Sequence, residues 1–364
     1  SSARLALDLI LTYRKMGDIF LLKNQNDTAL YYYNRALIID TFIEKNNPAV
    51  IEDFLNRGRA YGRLNDPARE LCDYLKGLEL SKKIYGDNHS LTGKFYSGMA
   101  RNMLGRQCAD SAISYMRKAL RISEAAHPSP HPDLSSLYRE MGYIYESIGL
   151  PDSAMIMYSK SISSNYRGFT STNRIETSLV MDEPLYASSL MDISRLKYSE
   201  YLKSGDKKSL LSITDNFDNI KSLTQSAISD FLLEETKIRL LHELSAQTFY
   251  GVDAAYRLFR ETGSREQLFK ALEFSELNKA TLLKDLAFRY KGESNTNTPD
   301  SLLNKRKDLS GYIDYLRMQI KQNGRQSRAN DKKIDSLLIS LRVISDSISR
   351  YSDNEKERPF PKGK

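Results

Sequence analysis

Residues 138–161 read YREMGYIYESIGLPDSAMIMYSKS, and the order of bulky and small side chains in this stretch decides the fold class. Several of these side chains recur at spacings of three and four residues, which place them on one face of a helix. The positions are Tyr138, Gly142, Tyr145, Ala154, Tyr158 and Ser161. The spacing predicts two helices that approach each other closely through small residues, while bulky residues fill the space between neighbouring pairs.

The same order of residues occurs three more times before residue 138. The dipeptides Asn47-Pro48, His89-Ser90 and His131-Pro132 mark the period, because they lie 42 residues apart each time. The small position holds Gly17, Gly58, Ala100 and Gly142, and the position four residues earlier holds Tyr13, Phe54, Tyr96 and Tyr138. The position 16 residues after the small one holds Tyr33, Tyr74, Met116 and Tyr158. Glu70 stands where the other units have Ala29, Ala112 and Ala154, so the second unit is the least regular.

This pattern resembles the tetratricopeptide repeat (TPR) over residues 5–165. The period exceeds the usual 34 residues, and the match is to the long-helix variety of kinesin light chains and many bacterial proteins. The resemblance implies an all-α fold, a right-handed TPR superhelix or α-α solenoid, with four units over residues 1–165. It also implies a non-catalytic scaffold that binds a protein or peptide.

Helical patterns continue after residue 165 with less regularity. Residues 166–290 are predicted to form degenerate TPR-like repeats, with a turn at Gly205-Asp206 and a long helix over 231–260 that stops at Thr262-Gly263. Ile334, Leu341 and Ile348 recur at seven residues, as do Leu337, Ile344 and Tyr351. This coiled-coil spacing predicts an antiparallel helical hairpin over 301–351, followed by a disordered tail over 352–364. The predicted linkers are the polar stretches 163–184 and 291–300.

A second resemblance concerns the segment ALEFSELNKATLL at residues 271–283. It is similar to the end of the repeat region in bacterial CHAT-domain proteins, where repeats and a basic helical hairpin precede a caspase-like cysteine protease. The chain stops at Lys364, before a strand pattern or a catalytic His and Cys, so we expect the protease to be trimmed away or absent. The resemblance then implies the sensing and docking arm of such a protease.

The sequence offers few residues for chemistry. The four histidines are His89, His127, His131 and His242, and neither Cys72 nor Cys108 has a nearby His for a nucleophilic pair. His89 and His131 occupy equivalent loop positions, where a turn-stabilising role is expected. The prolines between His127 and His131 deny the pair a helix, so no metal site is predicted. No Gly-rich phosphate loop occurs, and we therefore expect no enzyme and no cofactor, with both cysteines buried.

Charge and hydropathy limit the possible partners and the compartment. Residues 301–364 hold 15 Lys or Arg against 8 Asp or Glu, which is most of the net charge of +8. Acidic and basic residues alternate there, which favours a solvated helical face over nucleic-acid binding. No apolar run reaches the roughly 18 residues of a membrane span. The cytoplasm is the favoured compartment, and the periplasm stays open because the chain begins at Ser1 without Met.

In repeats of this type, the residues of the first helix that flank the small position face a concave groove. The alignment places mostly basic side chains there, which predicts an acidic or carboxylate-terminated peptide as the ligand. A solvated helix surface is the equally weighted alternative. The candidate groove residues are Arg14, Asp18, Arg59, Arg63, Lys94, Arg101, Arg139 and Tyr143.

Two functions remain open at the level of sequence. The first is a binding module that recruits a partner and controls an attached protease. The second is the ligand-sensing or dimerisation arm of a bacterial transcription or signalling regulator, in which the seam over 334–351 pairs two chains. The oligomeric state decides between a hairpin and such a dimer.

Overall fold

The structure is a computed structural model, and it divides into two compact units, Ser1–Ser161 and Ile162–Lys364. Apart from a few single positions between 301 and 337, the described residues are 2–23, 25–43, 48–127, 130–168, 175–230 and 248–276. Within these ranges the backbone is helical, with one isolated antiparallel bridge between Tyr166 and Val180. No described helix is both long enough and apolar enough to cross a membrane.

The first unit is a row of helices that pack in the order of the sequence. From α1 to α7 each helix contacts the next one along the chain, and α7 contacts α8 through the Ser135 and Ser161 hydroxyl groups, 3.0 Å apart. This confirms the predicted all-α solenoid of tetratricopeptide type. The helices are α1 (Ser2–Leu22), α2 (Asn26–Ile43), α3 (Ala49–Arg63), α4 (Pro67–Tyr85), α5 (Ser90–Gly105), α6 (Ala109–Ala126), α7 (Pro132–Ser147) and α8 (Pro151–Ser164).

The small residues and the aromatic residues of the repeat interlock within each helix pair. A Cβ atom added at Gly58 would lie 2.5 Å from the Tyr74 ring, so only glycine lets the tyrosine pack there. The same close approach joins Gly17 to Tyr33 and Gly142 to Tyr158. In the third pair Ala100 and Met116 take these positions, both fully buried. A flexible methionine accommodates the extra methyl group where a rigid ring would not.

Glu70 does not break the second repeat unit, because two neighbouring residues accommodate its carboxylate. Gly62 leaves room for it, since a Cβ atom there would lie 2.6 Å from Glu70 Oε1. Asn102, from the first helix of the next pair, donates a hydrogen bond of 2.7 Å to Glu70 Oε2 and another of 2.8 Å to the Pro67 carbonyl oxygen. The alanine of the other units is thus replaced by a polar contact between neighbouring pairs.

Side chains in the inter-helix turns cap the helices that follow. The His89 Nδ1 atom accepts a hydrogen bond of 3.3 Å from the Leu91 amide, and the His131 Nδ1 atom accepts one of 3.1 Å from the Asp133 amide. The predicted turn-stabilising role of both histidines is confirmed. Such caps satisfy amide groups that have no partner within the helix.

The second unit contains α9 (Glu183–Ser204), α10 (Lys207–Asp230), α11 (Thr248–Thr262) and a helix over 265–276. The predicted turn between α9 and α10 is confirmed, because Gly205 adopts the left-handed conformation with φ 71°. The predicted stop after Thr262 is also confirmed, with Gly263 at φ 68°. Gly251 of α11 packs directly on the Phe217 ring of α10, which repeats the contact between a small residue and an aromatic ring seen in the first unit.

Several predicted segments fall outside the described residues. These are the hairpin over 301–351 except for scattered positions, the tail over 352–364, and the ranges 231–247 and 277–300. The hairpin, the tail and the assignment of 166–290 to degenerate repeats therefore stay predictions.

Candidate ligand-binding cleft

The two predicted groove positions of the repeat differ in exposure. The residue after the small position is exposed in all four units, as seen for Asp18, Arg59, Arg101 and Tyr143. The residue three before the small position is buried in three units, where Arg14, Leu55 and Ser97 stand, and half-buried at Arg139. Both positions lie on one helical face, because they are four residues apart. Neighbouring helices therefore cover the position three residues before the small residue and leave the position after it open to solvent.

Arg14 is occupied by a buried network and is not available to a ligand in the groove. Its Nε atom donates to Asp53 Oδ1 at 2.5 Å, and its Nη2 atom donates to Asp53 Oδ2 at 2.9 Å and also to Asp40. Both carboxylates are almost completely buried. Burial raises the pKa of Asp53 to about 7, although the Arg14 charge opposes that shift.

Three of the predicted residues line one cleft between α3, α5, α6 and α7. Arg59, Lys94 and Arg101 supply its positive charge, and the cleft has a volume of about 260 Å³. The lining also contains four hydroxyl groups and two carboxylates, which the repeat pattern did not indicate. These are Ser90, Ser97, Ser123 and Ser136, together with Asp133 and Glu140.

The cations of the cleft are incompletely neutralised. Neighbouring helices partly desolvate the Arg59 guanidinium although its outer atoms reach solvent, and this desolvation, together with the Arg101 charge, lowers the pKa of Arg59. Arg101 forms a long ion pair with Glu140, 3.5 Å between Nη1 and Oε1. Lys94 is exposed and forms no ion pair with any residue that the structure describes. An anion between these side chains would relieve the repulsion between Arg59 and Arg101.

The remaining predicted residues do not line this cleft. The Asp18 carboxylate accepts a hydrogen bond of 2.7 Å from the Tyr33 hydroxyl group, and Arg63 donates to the Leu21 carbonyl oxygen. Arg139 is half-buried, and the exposed Tyr143 also lies outside the lining. The side chains brought together are therefore Arg59, Lys94 and Arg101.

A second polar cluster lies at the end of the cleft, in the turn between α6 and α7. The His127 and His131 rings stack with centroids 3.9 Å apart and planes 12° apart. His127 Nε2 lies 3.6 Å from Asp133 Oδ2, and His131 Nδ1 lies 3.9 Å from the same oxygen. Desolvation, followed by the charge of His127, lowers the pKa of His131. The two histidines lie outside both helices, since α6 ends at Ala126 and α7 begins at Pro132, and their rings nevertheless come together.

The cysteines correct one expectation from the sequence. Cys72 and Cys108 were expected to be buried, but both are exposed free thiols. Cys72 is an exposed residue of α4, and Cys108 precedes α6 as its N-cap residue. The helical sequence pattern did not show that Cys72 is on the solvent side of its helix, or that Cys108 lies just before the helix begins.

Comparisons with known proteins find only distant structural similarity. No family model matches the sequence, and no curated protein matches it. BtubC of P. vanneervenii is 15% identical, with 58% of this chain and 77% of that chain covered and a TM-score of 0.47. A Podospora anserina kinesin light chain with nearly identical TPR-like repeats is 12% identical, with 59% and 94% covered and a TM-score of 0.45. Pseudomonas aeruginosa PilF is 14% identical, with 74% and 98% covered and a TM-score of 0.42.

Because the identities and the TM-scores are low, the class of the protein rests on its own packing. Interlocked helix pairs in sequence order, with a polar cleft between α3, α5, α6 and α7, define a helical-repeat protein of tetratricopeptide type.

Proposed function

We propose that the first unit binds an acidic or carboxylate-terminated segment of a partner protein in the cleft between α3, α5, α6 and α7. The observation that supports this most directly is the group of Arg59, Lys94 and Arg101 around one cleft, with a lowered pKa at Arg59. Such a role is binding without catalysis, as in a scaffold.

The chemistry of the cleft matches a carboxylate ligand. Arginine donates two parallel hydrogen bonds to a carboxylate, and serine hydroxyl groups add further donors. The volume of about 260 Å³ lies below the roughly 300–1,000 Å³ of small-molecule sites. The cleft therefore suits the end or a short part of a peptide that continues over the open surface.

Charge reversal in the cleft tests the proposal. Peptides with acidic C-termini are titrated into the chain by calorimetry, beside the same peptides with amidated ends. Arg59→Glu and Lys94→Glu should each weaken binding at least tenfold, because a hydrogen bond between charged groups contributes about 1.5–3 kcal/mol. Arg121→Glu is the matched control, since Arg121 is exposed on α6 and does not line the cleft.

Removal of the Glu140 carboxylate, which competes with the peptide for Arg101, should change the affinity in the opposite direction. Glu140→Gln removes the acidic partner of Arg101 and should tighten binding of the acidic peptide. Equal losses for Arg59→Glu and Arg121→Glu would show that only the overall charge matters, and the cleft would then not be the site.

The resemblance to CHAT-domain proteins extends this proposal to a protease. Binding in the first unit would then shift the packing of the last helices, where Ala271 and Phe274 are buried in the core of the second unit. The alternative is a dimerisation arm that pairs through residues 334–351. Light scattering after size exclusion separates the two, because a monomer with intact helical content contradicts the dimer.

A further inference from the structure

The turn between α6 and α7 has a close counterpart one repeat earlier. Tyr85, His89 and Leu91 lie 42 residues before His127, His131 and Asp133. In both turns the two rings stack, at 4.3 Å and 17° for Tyr85 and His89. In both turns the histidine Nδ1 atom also caps the next helix. The stack and the cap are thus features of the turn, whatever the chemistry of the residues.

The later turn differs in that all three positions carry a possible metal ligand. Two imidazoles and a carboxylate replace a phenol, an imidazole and an aliphatic side chain. One ligand atom from each of His127, His131 and Asp133 lies within 4.8 Å of the other two. We propose that these three residues bind a divalent transition-metal ion of the Zn²⁺ type at the end of the cleft.

The distances between the ligand atoms fit such an ion. Bonds of about 2.0–2.1 Å in a tetrahedral site place ligand atoms roughly 3.3–3.4 Å apart. The Asp133 carboxylate oxygen lies 3.6 Å from His127 Nε2 and 3.9 Å from His131 Nδ1. The two distances to Asp133 therefore need to shorten by only about 0.2–0.6 Å to reach this value. The two histidine ligand atoms lie within 4.8 Å of each other and would come closer as the rings rotate, and water would fill the fourth position.

Two adjustments accompany binding. The rings are nearly parallel, so each must rotate about χ2 before both lone pairs point at one ion, and this torsion is soft in histidine. The His131 Nδ1 lone pair now accepts from the Asp133 amide, and the ion would take its place. The side chains of His127 and His131 are about one quarter exposed, at 25% and 24%, so the site is accessible from solvent.

The experiment is a titration of the tag-free full chain, stripped with EDTA and dialysed, with Zn²⁺ in a calorimeter. One site per chain with micromolar affinity is expected. Co²⁺ should give the visible absorption of a four-coordinate ion. His127→Gln should weaken Zn²⁺ binding at least tenfold, since it removes one ligand and leaves the His131 cap in place.

The neighbouring turn supplies the matched variants. The double variant H127Y/D133L gives the later turn the side chains of the earlier one, so it should keep its melting temperature in EDTA and lose the site. His89→Gln should leave Zn²⁺ affinity unchanged. The proposal is overturned if the wild type binds no Zn²⁺, or if H127Y/D133L and His127→Gln bind it as tightly as the wild type.

Discussion

The helix pairs at the beginning of the first unit are joined by buried charges, and the later pairs are joined mainly by apolar side chains. Between α1 and α4, Arg14 pairs with Asp40 and Asp53, and Arg57 pairs with Asp73 at 2.6 Å. An apolar cluster extends from Ile51 to Ile144, and its later part includes Met99, Met116 and Met141, all fully or nearly fully buried. The same repeat pattern is thus compatible with two kinds of contact between helices, buried ion pairs and apolar packing.

The difference shows what each kind of contact requires. A buried ion pair needs every partner, because an isolated charge in the interior is far costlier than the pair. An apolar contact needs matched volume, because the interior is close-packed. The early helix pairs should therefore be sensitive to charge and pH, and the later pairs to the size of side chains.

Removal of Arg14 should have the largest effect. Arg14→Met leaves Asp40 and Asp53 buried without their cation, and the free energy of unfolding should fall by about 3–5 kcal/mol. Urea denaturation followed by circular dichroism measures this loss. The triple variant R14M/D40L/D53L removes all three charges and should recover most of the stability. A loss below about 1 kcal/mol for Arg14→Met would place the network at the level of a surface ion pair.

A change of size in the third helix pair should have the next largest effect. Met116→Tyr drives a ring against the Ala100 methyl group and should destabilise by about 1–3 kcal/mol. Ala100→Gly alone should cost about 1 kcal/mol through its lower helix propensity. The double variant A100G/M116Y restores the glycine and tyrosine pairing of the other three units, so it should be more stable than the sum of the single changes predicts. Additive losses in a double-mutant cycle would contradict this explanation of the repeat.

Per unit of pH, a change in acidity should have the smallest of the three effects. Because the pKa of Asp53 is raised from its ordinary 3.8 to about 7, folding favours its protonated form. This contribution is fully present below pH 3.8 and is lost as the pH rises towards 7, by at most about 1.4 kcal/mol per pH unit. Asp53→Asn mimics the protonated form. The stability of the wild type relative to Asp53→Asn should therefore decline between pH 5 and pH 7, whereas a constant difference would assign Asp53 an ordinary pKa.

Much of the fold could be predicted from the sequence, because its determinants lie close together along the chain. Gly58 and Tyr74 are 16 residues apart, within one helix pair, and the same spacing recurs for Gly17 and Gly142. The turn histidines cap amides only two residues ahead. Local spacing of this kind is visible without coordinates.

The site was predicted only in part, because the contacts that determine it join residues far apart along the chain. Arg59, Lys94 and Arg101 could be selected by their place in the repeat, but the sequence did not distinguish them from Arg14. The partners of Arg14 stand 26 and 39 residues away, on α2 and α3. Nothing near Arg14 in the chain indicates that its charge is buried.

The sequence by itself determined the helical pairs, their order and the small residues through which they meet, because these depend on side-chain types at fixed local intervals. Only the tertiary structure decided which cations stay open to a ligand and which become buried in ion pairs. It also decided that two histidines separated by prolines stack beside an aspartate. Those outcomes depend on how separate helices and turns come together, which spacing along one chain does not specify.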